Sequence, residues 1–257
     1  EQTDDGVSTF GVVTISRAAL ELKHKNVVSA ADWLYPGDKI VTGSWDGMVR
    51  LWSAENGRCI HELGPTAGSQ SSIPIAQQYD SFFVTNVTVH KAASLALASY
   101  SDGSFRIFDF RSEKPSTIVT NAHSELVSST CFGVDDNLVL SGSDDRTVKI
   151  WDRRNMKVPK TIIRCHASLN RFSVSPINSY LAIPMDDMAT KVCDLNGKYV
   201  LGRIKSEGKN GHKAMVTCAA WSIDESVVFT AGFDRTVIAW GKPRDRERSE
   251  RNKLTAS

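Results

Sequence analysis

Short runs of apolar residues recur along the chain, and turn-forming residues separate them. The clearest runs are residues 39–42, 49–52, 138–141, 148–151 and 227–230. Short runs of this kind, bounded by Gly, Asp and Asn, are typical of β-strands. No amphipathic helical pattern of useful length accompanies them. The pattern therefore predicts an all-β protein.

One polar unit occurs three times with the same internal spacing. A histidine is followed by a Ser or Thr after 18 residues, by an Asp after 22 and by a Trp after 28. Such repetition at a period of about 40 to 45 residues is typical of four-stranded propeller blades. The three sets are His24, Thr42, Asp46 and Trp52; His123, Ser141, Asp145 and Trp151; and His212, Thr230, Asp234 and Trp240.

The same frame finds two incomplete copies, in which only the Asp is kept from the polar set. They comprise Asp80, Ala98, Asp102 and Phe108, and Cys165, Ile183, Asp187 and Cys193. The aspartates at 46, 102, 145, 187 and 234 are separated by 56, 43, 42 and 47 residues, and the first interval carries a polar insertion at 64–80. We therefore expect a β-propeller with five four-stranded blades within residues 1–241.

We expect the four residue types to form a structural tetrad inside each complete blade. An Asp in the turn between the second and third strands can accept a hydrogen bond from the His, and the hydroxyl can link that His to the Trp indole. His, Asp and Ser could also form a hydrolytic triad, but a triad occurs once per site, whereas this set occurs three times. Repetition favours architecture, so we predict no catalytic, cofactor-binding or metal-binding residue.

The chain on either side of the repeats indicates how the ring is completed. The third strand of the last repeat ends at Trp240, and residues 242–257 alternate in charge as a solvated, disordered tail does. Residues 10–16 form a strand-like segment with no blade of its own. This segment could complete the last blade as an outer strand, or it could belong to an absent neighbouring blade.

Composition and charge narrow the classes of function. The net charge is +2, and the tail contributes six basic and three acidic residues, so the body lacks the clustered basic face that nucleic-acid binding requires. The five cysteines have no C-x-x-C spacing, which argues against a disulfide framework and a zinc site. No apolar run approaches the roughly 18 residues of a membrane helix.

The complete units resemble WD repeats over residues 10–241. Residues 28–34, 141–152, 155–156 and 232–240 are further similar to the C-terminal half of one group of longer intracellular WD-repeat scaffolds. This resemblance implies a parent with about seven blades, of which five are present here. It also implies an intracellular, non-enzymatic scaffold, which we expect in the cytoplasm and also in the nucleus. From the residues themselves we expect no cofactor, small-molecule substrate or membrane insertion. The partner that the resemblance implies is a phosphofurin acidic cluster sorting protein of membrane traffic.

Every Asp turn and every His loop should emerge on one rim of the ring, which forms a face suited to a peptide. Exposed aromatic residues are common interface anchors, and our candidates on this face are Trp45, Tyr100, Asp144 and Phe233. Burial between blades is an equal alternative for Trp45 and Phe233. A propeller-fold enzyme and a nucleic-acid reader remain as alternative functions, the second requiring steep salt dependence that disappears without residues 242–257.

Overall fold

The computed structural model describes residues 20–34, 36–64, 82–112, 115–204 and 211–241, with the backbone alone at 199–203. All nineteen regular elements within these ranges are β-strands, which confirms the all-β prediction. None of the described elements is a helix long and apolar enough to cross a membrane.

The strands form five antiparallel sheets, each a meander of consecutive strands, and we call these sheets blades 1 to 5. All five apolar runs noted in the sequence lie within these strands. The bounds are β1 Val28–Leu34, β2 Lys39–Ser44, β3 Val49–Ser53 and β4 Cys59–Leu63 in blade 1; β5 Val84–Val89, β6 Leu95–Tyr100, β7 Phe105–Asp109 and β8 Pro115–Val119 in blade 2; β9 Val127–Phe132, β10 Leu138–Ser143, β11 Thr147–Asp152 and β12 Thr161–Arg164 in blade 3; β13 Ser173–Val174, β14 Leu181–Pro184, β15 Thr190–Cys193 and β16 Tyr199–Ile204 in blade 4; and β17 Val216–Trp221, β18 Val227–Gly232 and β19 Val237–Gly241 in blade 5.

Blade 5 has three strands in the part of the chain that the structure describes. The segment 10–16, proposed above as its fourth strand or as part of a neighbouring blade, lies outside the described residues, as do the tail at 242–257 and Asp80. Both ways of completing the ring therefore stay predictions.

Successive blades pack face to face through apolar side chains. Val41 and Leu51 of blade 1 share one buried cluster with Val87 and Ala98 of blade 2. Equivalent clusters join blades 2 and 3, blades 3 and 4, and blades 4 and 5. We call the surface that a blade turns toward the next blade its forward face. Burial of these apolar clusters away from water provides the main driving force for stacking the sheets.

The forward face of blade 5 differs from the other four. Phe229 and Val237 are 42% and 71% exposed, whereas the residues at the same register positions in blades 1 to 4 are at most 2% exposed. The buried counterparts of Phe229 in blades 1 to 4 are Val41, Leu97, Leu140 and Ala182. Those of Val237 are Val49, Phe105, Val148 and Thr190. The described residues therefore leave the forward face of blade 5 uncovered.

Candidate functional site

The turn between the second and third strands has the same backbone form in every blade. The residue that follows each turn Asp has a positive φ, between 64° and 79°. Gly47 and Gly103 adopt this conformation without strain, and Arg146, Met188 and Arg235 adopt it in the other blades. Each turn Asp is thus held at the same corner of its sheet.

The four predicted side chains of blade 3 lie together in one hydrogen-bonded chain. The indole Nε1 of Trp151 donates to Ser141 Oγ at 2.9 Å, and Ser141 Oγ lies 2.8 Å from His123 Nε2. His123 Nδ1 is 2.8 Å from Asp145 Oδ2. The network connects a loop, two strands and a turn; His123, Ser141 and Trp151 are buried, and the Asp145 side chain is 9% exposed.

Blade 5 has the same arrangement. Trp240 Nε1 donates to Thr230 Oγ1 at 2.7 Å, Thr230 Oγ1 lies 2.8 Å from His212 Nε2, and His212 Nδ1 lies 3.0 Å from Asp234 Oδ2. The backbone N–H of Lys213 also donates to Asp234 at 2.8 Å. The Asp therefore fixes the main chain of the His loop as well as the His ring.

Blade 1 contains the tetrad with a cation added. Trp52 Nε1 and His24 Nε2 lie 2.7 and 2.6 Å from Thr42 Oγ1, but His24 Nδ1 and Asp46 Oδ2 are 3.4 Å apart. Arg50 Nη1 donates to Asp46 Oδ2 at 2.7 Å and also contacts His24 Nδ1. The guanidinium therefore shares the carboxylate with the histidine.

The hydrogen bonds in blade 3 fit a neutral histidine. The Ser141 hydroxyl accepts the Trp151 N–H, so its own proton is available for His123 Nε2, and the Nδ1–H of His123 can then donate to Asp145. Burial lowers the pKa of His123 below its ordinary value, although Asp145 acts in the opposite direction. The polar groups of this network are already hydrogen-bonded to one another, whereas a catalytic base must be free to accept a proton from a substrate.

Burial and neighbouring donors also shift the pKa values of His24 and Asp46 in blade 1. Burial, together with the Arg50 cation, lowers the pKa of His24. Burial alone would raise the pKa of Asp46, but hydrogen bonds from Arg50 and from the backbone N–H groups of Lys25 and Met48 hold it at about 2. The tetrad of blade 1 thus contains a firmly ionised carboxylate.

The two incomplete repeats fill the tetrad space with apolar groups. In blade 4, Cys165 and Cys193 belong to an apolar cluster with Ile183. Burial raises the pKa of Cys165 to about 11 and that of Cys193 to about 12, so both remain protonated thiols and poor nucleophiles. In blade 2, Ala98 and Phe108 are completely buried.

A basic residue four positions after the turn Asp is a feature that our sequence analysis missed. It is present in four of the five repeats, as Arg50, Arg106, Lys149 and Lys191, and is Ile238 in blade 5. The ammonium groups of Lys149 and Lys191 donate to the carbonyls of Ala122 and Arg164, each 27 residues earlier, at 2.6 and 3.1 Å. The constant offset of four residues from the turn Asp was the sequence signal that could have revealed this position.

The turn tip is the residue immediately before each turn Asp, and its backbone is fixed in every blade. The N–H groups of Trp45, Ser101, Asp144, Asp186 and Phe233 donate to carbonyls of the loop that leads into the first strand, at 2.8 to 3.2 Å. Trp45 is 46% exposed and packs on Phe83 with ring centroids 5.0 Å apart, and Phe233 is 66% exposed. Both rings are therefore available at the rim.

The prediction that Tyr100 is an exposed anchor is wrong. Tyr100 is fully buried, because it lies two residues before Asp102, at the inward-pointing last position of β6. The equivalent residues Ser44 and Ser143 are also fully buried. The exposed tip of this blade is Ser101, one residue later.

Asp144 lies at the rim and is exposed, as its position in the repeat suggested. Partial burial of its carboxylate, together with the charges of Asp186 and Glu125, raises its pKa. Among the described residues, no group of three or more His, Cys, Asp or Glu side chains is placed to hold a metal ion.

Comparison with protein families agrees with this geometry. Residues 18–193 match the family model "Nucleolar protein 10-like, N-terminal domain", and residues 205–241 match "WD domain, G-beta repeat". The chain belongs to the WD-repeat β-propeller family. WD-repeat proteins generally act as protein-interaction scaffolds and are generally not enzymes.

Individual WD-repeat relatives refine the comparison. WD repeat-containing protein 37 of Mus musculus is 37% identical over 92% of this chain and 45% of its own length. The Xenopus tropicalis protein of the same name is 38% identical over 84% of this chain and 41% of its own length. Target of rapamycin complex subunit LST8-1 of Arabidopsis thaliana is 31% identical over 46% of this chain and 34% of its own length.

The sequence analysis found a resemblance to one group of longer WD-repeat proteins. These comparisons confirm that resemblance and identify the group as WD repeat-containing protein 37. The chain spans less than half the length of these relatives.

Proposed function

We propose that this chain is a non-catalytic scaffold whose Asp-turn rim holds a protein partner. The observation that carries the proposal is the exposure of Trp45 and Phe233 at turn tips whose backbone is pinned by hydrogen bonds. A large aromatic ring on a rigid support loses little conformational freedom on binding and buries a large apolar area. The tetrads beneath keep these supports in place.

The polar groups of the rim support binding more than chemistry. The His, hydroxyl and Asp groups of blades 1, 3 and 5 are already bonded to one another. A general base or nucleophile has to reach a substrate, whereas the His and Asp side chains of these blades are at most 9% exposed. We therefore propose that the chain itself performs no reaction.

For the partner, we propose a phosphofurin acidic cluster sorting protein, with the complex formed in the cytoplasm and also in the nucleus. This choice is supported by the resemblance to WD repeat-containing protein 37. The printed name of the Arabidopsis relative describes it as a subunit of a complex, which is in keeping with a scaffolding role for the present chain.

A binding measurement with the purified sorting protein tests both parts of this proposal. Trp45→Ala and Phe233→Ala should each weaken binding by about tenfold or more, as expected for interface anchors, without changing the melting temperature. Trp33→Ala is the matched control, because Trp33 is 59% exposed but lies at the opposite end of β1. Equal weakening by the control would remove the rim from the proposal, and absence of binding by the unmodified chain would remove the partner.

A further inference from the structure

Blades 1 and 2 each bury an arginine at the same position, but among the described residues only Arg50 has an acceptor for both its Nε and its Nη1. Arg50 and Arg106 both follow the turn Asp by four residues and pair in register with Glu62 and Ile118 of the outer strand. Arg50 Nε donates to Glu62 Oε2 at 2.9 Å and Arg50 Nη1 to Asp46 Oδ2 at 2.7 Å. Blade 2 has Ile118 where blade 1 has the carboxylate of Glu62.

Arg106 is consequently left with unused donors. The residue is 5% exposed, and its Nε and Nη1 atoms are buried without a hydrogen-bond partner among the described residues. Its Nη2 lies 3.7 Å from Asp102 Oδ2, which is an ion-pair distance longer than a hydrogen bond. One edge of the guanidinium therefore has no acceptor among the residues that the structure describes.

Two aromatic rings stabilise the Arg106 cation but do not supply the missing hydrogen-bond acceptor. The guanidinium carbon lies 3.9 Å from the centroid of Tyr100 and 5.1 Å from that of Phe82. The faces of these rings attract the cation, but they do not replace an acceptor in the plane of its N–H groups. A buried charged donor without an acceptor is unfavourable, so a ligand that supplies one would bind with a gain.

We propose that the Nε and Nη1 edge of Arg106 binds a carboxylate from an acidic peptide segment of the partner. The planar fork of arginine fits the two oxygens of a carboxylate. This inference rests on the proposed scaffold function and specifies the chemistry that the rim recognises. Phe82, whose ring lies 5.1 Å from the Arg106 guanidinium carbon, is next in the sequence to Phe83, on which Trp45 packs. A peptide with an acidic residue close to an apolar one matches this pair.

Blade 1 shows how a carboxylate can reach such an arginine. The Glu62 side chain is 50% exposed while it is bonded to Arg50. The equivalent Ile118 is 39% exposed, whereas Arg106 Nε and Nη1 are buried, so a carboxylate from outside reaches them when the Ile118 side chain turns away toward solvent. A single-charged carboxylate also suits the site better than a phosphate, because Asp102 already lies beside the one cation.

The protein's own blade 1 supplies the design of the test. Ile118→Glu introduces the carboxylate that Arg50 has in Glu62, and Ile118→Gln is the uncharged control of the same shape. The probe is a synthetic peptide in which Glu alternates with Leu, compared with a peptide in which every Glu is Gln. Binding is measured by fluorescence anisotropy, and folding by the melting temperature.

The unmodified chain should prefer the Glu peptide by about tenfold, the usual scale of one charge-assisted pair. Ile118→Glu should abolish this preference and raise the melting temperature by about 2 to 4 °C, whereas Ile118→Gln should retain the preference. Arg106→Gln should also abolish it. Equal binding of both peptides by the unmodified chain, or an unchanged preference in Ile118→Glu, would overturn the proposal.

Two further measurements separate this inference from its alternatives. Asp80 occupies the tetrad-histidine position of this repeat, and an Asp80→Asn variant that lost as much stability as Arg106→Gln would assign the acceptor to the chain itself and overturn a peptide site. If the sorting protein fails to bind while the Glu peptide is still preferred, the proposed partner is wrong and the Arg106 site stands. If Trp45→Ala weakens the sorting protein but Ile118→Glu does not, the scaffold stands and the Arg106 site falls.

Discussion

Asp145 Oδ2 lies 2.8 Å from His123 Nδ1, although the two residues are 22 positions apart in the sequence. The other oxygen of the same carboxylate accepts the backbone N–H of Thr147 at 3.0 Å and its hydroxyl at 2.6 Å. The Asp therefore joins the loop before the first strand to the turn between the second and third strands. Removing it should loosen the blade at both places.

We predict that Asp145→Ala lowers the free energy of unfolding by about 1 to 3 kcal/mol, because His123 and the turn lose a buried acceptor. Asp102→Ala is the control from an incomplete repeat and should cost less. Within the described part of the chain, Asp102 accepts hydrogen bonds only from Ser104, and it is 34% exposed beside Arg106. Urea unfolding of the two variants tests this difference, and equal losses would contradict a stabilising tetrad.

Sequence reasoning found the parts of the fold that depend on repetition and missed those that depend on register. His, hydroxyl, Asp and Trp recur at fixed offsets, so their convergence could be expected before any coordinates. Whether Tyr100 points inward depends on a shift of one residue within a strand, because successive side chains alternate between faces. The donors of Arg106 are unused because its cross-strand partner is Ile118. The repeat motif does not specify the register between β7 and β8, so the sequence could not predict this.

Stability should fall in two separate ranges as the solution is acidified. The pKa values of His24 and His123 in the folded chain lie below their ordinary value of 6.5. The unfolded chain then takes up protons that the folded chain does not, so the free energy of unfolding decreases as pH falls below about 6.5. The pKa of Asp46 is about 2 instead of 3.8, so its contribution is present above 3.8 and disappears as pH falls toward 2.

Urea unfolding at a series of pH values between about 7.5 and 5 isolates the histidine range. His123→Asn should lower stability at neutral pH but reduce the pH dependence, because the buried titrating group is gone. His166→Asn is the matched control, because it removes an exposed histidine that belongs to no tetrad. A slope that is the same in His123→Asn and in the unmodified chain would assign the pH dependence to other groups.

Gly43 provides a test of the packing between blades 1 and 2. A Cβ atom on this residue would lie 2.5 Å from Val87 Cγ2 and 2.6 Å from Val84 Cγ1, and both valines are buried. Gly43→Ala should therefore lower the free energy of unfolding by about 1 to 3 kcal/mol through overpacking. Gly241→Ala is the control, because its Cβ would meet its neighbours at 3.5 Å or more. Tolerance of Gly43→Ala would show that the two blades separate easily.

The uncovered forward face of blade 5 predicts how this chain sits in a longer protein. Cys218 is exposed on this face, in one cross-strand row with Ala231 and Val237. Apolar surface at these positions is covered by the next blade everywhere else in the stack, and the relatives are more than twice as long as this chain. We therefore predict that further blades of a longer parent cover the face, as the expected ring of about seven blades requires.

Maleimide labelling followed by mass spectrometry of the Cys218 peptide measures this directly. In the present chain Cys218 should react readily, and in a parent chain that carries the predicted further blades its reaction should slow by about tenfold or more, because labelling would then require local opening. Cys193 is the internal control, since it is fully buried in blade 4 and should react slowly in both. Equal labelling of Cys218 in the two proteins would mean that the face stays open in the parent, and the predicted closure by further blades would be wrong.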